Sequence, residues 1–161
     1  MEAKTLQLQL ETEQYNNQAN LVYVNTIIFC SILVPLFHFM VGSTLVAALN
    51  FAAILISILC LVLNHQNRYG TSALLFIGYI TFLTAIEVFV FGLIGGFQYF
   101  FFNMTGLIMF SSWSPRQKLA GVLTEATLFI CIFFLVLNRD PVTILSGGMT
   151  LFFHTLNVLL N

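Results

Sequence analysis

The sequence predicts an all-α integral membrane protein, a bundle of six transmembrane helices joined by short loops. Three observations carry this. Only 7% of the 161 residues are Asp, Glu, Lys or Arg and 59% are hydrophobic, whereas a soluble domain carries about a quarter charged residues. Mean hydropathy is +0.96. The apolar residues fall in runs close to the roughly 20 that a helix rising about 1.5 Å per residue needs to cross the hydrocarbon, and the few charges gather between those runs.

Taken in order, residues 1–20, MEAKTLQLQLETEQYNNQAN, form a polar N-terminal arm. The arm lacks the basic start and apolar core of a cleaved signal peptide. Leu6, Leu8 and Leu10 alternate as in a strand, and Leu6 and Leu10 also suit one helical face, so its structure stays open, a membrane-surface helix included. The transmembrane domain then occupies 21–161, with helices expected over Leu21–Val41, Thr44–Leu63, Thr71–Leu93, Phe97–Trp113, Leu119–Leu137 and Val142–Leu160. Pro35 removes an N–H from the first, which predicts a kink there. The second carries Ala48 and Ala52, then Ala53 and Ser57, at the spacing that lets helices approach closely. Between the third and fourth, Gly92, Gly95 and Gly96 permit a tight reversal.

Orientation follows from the basic residues, which stay on the cytoplasmic side of short loops. Lys4, Arg68, Arg116 and Lys118 fall on one side of six alternating helices, and the other side has only Arg139, beside Asp140. Both termini are therefore expected in the cytoplasm, with the helices in a plasma membrane such as the bacterial inner membrane. Tyr69 and Trp113 stand where an interfacial aromatic belt would put them.

The chain has no phosphate-binding glycine loop, HExxH pair, CxxC or GxSxG. No enzymatic activity is expected of this segment, and no catalytic residue is assigned. A net charge of −1 offers no basic surface for nucleic acid. Cys30, Cys60 and Cys131 are odd in number and lie in three different helices, as free buried thiols do.

The ionisable residues inside the expected spans are more informative, because a charge in hydrocarbon needs a partner or a watery cavity. Counting depth along each helix puts His38 and Glu87 about 25 Å from the cytoplasmic edge, and Glu125 and His154 about 9 Å from it. Asn50, Asn103 and the neighbouring Tyr99 join the outer layer; Asn25 and Asn157 join the inner one. The outer set (His38, Asn50, Glu87, Tyr99, Asn103) gives the candidate ligand site, with Glu87 paired to His38 inside the bundle. The inner set reads as interhelical hydrogen bonding. A structural role stays open for both layers. The two histidines differ in depth by about 16 Å, so they do not hold a haem within one protomer, and one His with one Glu per layer is too few for a zinc site. No cofactor or metal is expected.

Six short-looped helices, the stretch GLIGGFQYFFFNMTGLIMF and the basic turn WSPRQK together resemble the six-helix sensory membrane domains of bacterial signalling proteins, over roughly Leu21 to Asn161. Such domains precede nucleotide cyclase, diguanylate cyclase or histidine-kinase output domains. The resemblance implies a homodimer, a small apolar or amphipathic ligand, and a signal passed through helix 6 to an output domain beyond Asn161. Where that pattern often has a His after the glycine bend, this chain has Gln98. Two other classes stay open: a small oligomeric transporter or channel using Glu87 or Glu125, and a membrane assembly factor.

Overall fold

The computed structural model describes residues 2–111, 113–137 and 139–160, and every regular element there is helical. The first helix, α1 (Glu2–Pro35), is continuous over 34 residues. The polar arm is thus not a separate unit: between Glu2 and Val34 there is no Gly or Pro, and Leu, Gln, Glu and Ala sustain the helix into the apolar segment. At Pro35 the missing N–H is absorbed by a wider turn, a π-helical segment over Leu36–Val41 that ends at Gly42 in the left-handed region (φ 74°). Four further helices of the bundle are α2 (Thr44–His65), α3 (Tyr69–Phe91), α4 (Phe100–Phe110) and α5 (Pro115–Leu137), and α6 (Gly147–Leu160) follows.

Among the described residues, four helices are long and apolar enough to cross a membrane: Glu13–Val41, Thr44–His65, Tyr69–Phe91 and Pro115–Leu137. Against the six spans expected, α4 and α6 fall short. With 11 residues α4 is about 17 Å long, and with 14 α6 is about 21 Å, against roughly 30 Å of hydrocarbon. The reason is local. Two 3₁₀ turns, Leu93–Gly95 and Phe97–Tyr99, follow Gly92 and Gly96 at φ 73° and 76°, and the second takes up the residues expected to start the fourth span; Val142 to Ser146, expected at the start of the sixth, lie outside a helix.

Polar side chains are buried while many large apolar ones lie on the outside. Asn50, Ser57, Asn64, Ser72, Thr81, Thr84, Glu87 and Glu125 are buried, while large apolar side chains such as Phe39, Leu74, Phe134 and Ile144 are exposed. On α2 the buried positions are 46, 47, 50, 53, 57, 60 and 64, a single stripe at helical spacing. The small pair Ala53 and Ser57 lies in it, whereas Ala48 is exposed. The helix α3 is the hub, buried on more than one face and packed against α2, α4 and α5.

Two clusters fix the ends. At one end Phe37, Phe91, Phe97 and Phe153, each at most 2% exposed, stack with ring centroids 5.2 to 5.4 Å apart for four of their pairs. They join α1, α3, the glycine bend and α6, and the Thr143 N–H donates to the Val90 carbonyl beside them at 3.0 Å. Towards the other end, Asn64 donates to Asn20 Oδ1 at 2.7 Å. Nearby, Ser72 Oγ donates to the Cys60 carbonyl and lies 2.9 Å from the Tyr23 hydroxyl. With one proton spent on Cys60, Ser72 is the acceptor for Tyr23.

Candidate ligand-binding cavity

A Glu–Asn pair marks the site. Glu87 stands one turn before the end of α3, 4% exposed, and its Oε1 accepts a hydrogen bond of 2.9 Å from Nδ2 of Asn50, the fully buried residue on α2. The same Asn50 nitrogen donates to the Val46 carbonyl at 3.0 Å. The partner expected for Glu87 was His38. That pairing is corrected: His38 lies in the π-helical turn, is exposed, and sets its ring edge-on to Phe39 at 4.7 Å. Depth placed the two at one level, but the widening after Pro35 changes the angular position of every following side chain, and depth carries no information about facing.

Beside the pair lies a cavity of about 460 Å³ bounded by α1, α3 and α4. It is mostly apolar, with Phe29, Phe76 and Phe100 among its walls and Asn25, Thr84 and Asn103 as further polar groups. That size and character match ligand pockets, which run to about 300–1,000 Å³ with a few convergent polar groups. The cavity exists because α1 packs on α2 while α4 packs on α3 and α5. Phe29 and Phe100, with centroids 6.3 Å apart, bridge the gap from either side. Asn25 and Phe102 are exposed, so the cavity opens along the flank of the bundle.

Of the residues singled out from sequence, Asn50, Glu87 and Asn103 line this cavity, and so does Asn25, which depth assigned to the inner layer. Tyr99 does not line it; its ring stands edge-on to His154 at 6.0 Å. His154, counted at the same depth as Glu125, sits by the glycine bend, because α6 packs on the 3₁₀ turns. The side chain of Asn157 lies outside the described residues. Sequence reasoning missed Thr84, although it is three residues before Glu87 and so on the same face.

The second carboxylate is separate. Thr81 donates to Glu125 Oε1 at 2.6 Å, and the other oxygen, Oε2, is buried without a partner among the described residues. Glu125 lines a groove between α3 and α5 that also takes in Arg68, Trp113 and Gln117, so the turns after α2 and α4 lie at one end of the bundle. The α3 residues lining this groove include Leu74, Gly78, Phe82 and Ala85, on the opposite side of the helix from Phe76, Ile80, Leu83 and Glu87, which line the cavity. Glu87 and Glu125 thus face different spaces with α3 between them. Among the described residues no three His, Cys, Asp or Glu side chains gather to hold a metal ion.

No family model, no curated protein and no solved structure matches this chain.

Proposed function

We propose that the chain is a multi-pass membrane protein that binds a small apolar or amphipathic molecule in the cavity between α1, α3 and α4, and acts as a sensory input domain. The single observation behind the binding reading is a cavity of about 460 Å³ beside a buried carboxylate whose second oxygen has no partner among the described residues. Its opening on an apolar flank suits a ligand that arrives through lipid. The sensory reading adds the resemblance of helix layout and a physical route. Phe100 on the cavity wall follows directly on the turn that carries Phe97, and Phe97 packs on Phe153 of α6 at 5.3 Å. A ligand that binds two arrangements of this aromatic cluster with different affinity would shift α6 between them.

The same reading places the end with Arg68, Arg116 and Lys118 in the cytoplasm, along with the start of α1. Arg139 belongs to the other end, where its guanidinium carbon lies 4.1 Å from the centre of the Phe89 ring. A cytoplasmic C-terminus does not follow from four long helices. The transporter reading is weaker, because α3 separates the two carboxylates that a single path through one protomer would have to join.

Gly106 supplies the test. It lines the cavity, and a Cβ added there meets nothing within 4 Å. A leucine at 106 would occupy space in the cavity while leaving the Glu87 and Asn50 side chains themselves unaltered. Native mass spectrometry of the protein in lipid nanodiscs should show a lipophilic small molecule bound to the wild type and lost in Gly106→Leu. Equal occupancy of the two would remove the cavity as the binding site.

A further inference from the structure

Resting on the reading that this cavity takes an amphipathic molecule, we propose that it selects one whose polar end is a primary ammonium. The floor of the cavity is short of protons. Asn50 Nδ2 carries two, and both are spent, one on Glu87 Oε1 and one on the Val46 carbonyl. Left over are Asn50 Oδ1, buried without a partner, and Glu87 Oε2, neither of which makes a hydrogen bond among the described residues. Glu87 Oε2 is the one of the two not sealed from the cavity, and in the carboxylate form it is an acceptor only. A ligand end that satisfies it must bring a donor, and an alkylammonium brings three with no acceptor of its own. A carboxylate or phosphate would set oxygen against oxygen, and a hydroxyl brings a proton without the charge.

Charge points the same way. Among the described residues no Lys, Arg or His lines the cavity, so a Glu87 carboxylate has no cationic partner there, and a buried charge without one is costly. An incoming ammonium supplies that partner through charge-assisted hydrogen bonds. The rings of Phe29, Phe76 and Phe100 suit the attached apolar body. A free lipophilic amine and a membrane aminolipid share this chemistry.

The experiment compares decylamine, decyltrimethylammonium, decanol and decanoate on the wild-type protein in phosphatidylcholine nanodiscs, by ligand-dependent shifts in melting temperature. Decylamine is expected to bind at least about tenfold more tightly than the other three, the effect of one charge-assisted hydrogen-bonded contact. Glu87→Gln should bring decylamine down to the level of decanol. Phosphatidylethanolamine added to the disc should compete if an aminolipid is the natural occupant, and should leave decylamine binding unchanged if a free amine is. The head-group series needs no variant, so a Glu87→Gln protein that fails to fold does not spoil the test. Equal affinity for all four compounds would overturn the ammonium assignment. Tighter binding of decanol or decanoate, abolished by Gly106→Leu, would overturn it while leaving the cavity reading intact.

Discussion

Asn50 and Glu87, from α2 and α3, meet at 2.9 Å where both are almost wholly buried. The bond takes one proton of Asn50 and leaves Glu87 Oε2 without a hydrogen bond among the described residues, so one contact both fixes two helices and defines the chemistry of the space beside them. Its two roles separate under mutation. Glu87→Gln keeps a carbonyl oxygen for Asn50 and should change stability by less than about 1 kcal/mol, near the average for a hydrogen bond within a membrane. Asn50→Val strands the Glu87 carboxylate and should cost more, about 1–3 kcal/mol. Thermal denaturation in nanodiscs would rank them; the reverse order would show that Asn50 is not the group that satisfies Glu87.

Phe153 should anchor α6. Its ring lies among Phe37 and Phe97 and is fully buried, and Phe→Ala at such a site costs about 3–5 kcal/mol. Only α6 hangs on this contact, so Phe153→Ala should release that helix and leave the rest of the bundle folded. A disulfide cross-link engineered between α6 and the 3₁₀ turns should form in the parent and be lost in the variant. Retention of the cross-link would mean that other contacts hold α6.

The glycine bend should be intolerant of side chains. Gly96 sits at φ 76°, a region that costs an alanine about 1–2 kcal/mol. Gly106, inside α4 with open space around it, is the matched control. Melting temperature should fall for Gly96→Ala and hold or rise for Gly106→Ala.

Orientation has a direct readout in cysteine accessibility, on a background from which Cys30, Cys60 and Cys131 have been removed. Exposed Ser114 and Ile144 lie in the connections before α5 and after it. In intact cells an impermeant thiol reagent should label Ile144→Cys and spare Ser114→Cys. The opposite pattern would invert the proposed topology.

The helices were legible in the sequence where a single continuous property governs them. Long apolar runs with few charges pointed to α2, α3, α5 and the part of α1 after residue 20, and the glycines to the bend at 92–96. The shortness of α4 and α6 was not legible, since Phe97 to Tyr99 and Val142 to Ser146 are as apolar as a helix, and only the backbone path around the bend shows that they are spent elsewhere. The same holds for the site. Glu87 was legible as an interior residue because a carboxylate in an apolar run demands a partner. Its partner was not: depth along a helix fixes one coordinate, and the turn after Pro35 swings His38 outwards while Asn50, one of the buried stripe on α2, faces in. The phenylalanine cluster went unread for a similar reason, since its members come from three separate parts of the chain: Phe37, the pair Phe91 and Phe97 around the glycine bend, and Phe153.

A ligand held in the space between α1, α3 and α4 should be captured there by photolabelling. An alkyl diazirine small enough for about 460 Å³ is irradiated with the nanodisc-embedded protein, and the labelled residues are mapped by mass spectrometry. Labelling should concentrate on cavity residues such as Phe29, Thr84 and Leu107, saturate with dose, and vanish in Gly106→Leu. Labelling spread over lipid-facing residues such as Ile130, Phe134 and Leu135, without saturation and unchanged in Gly106→Leu, would contradict it.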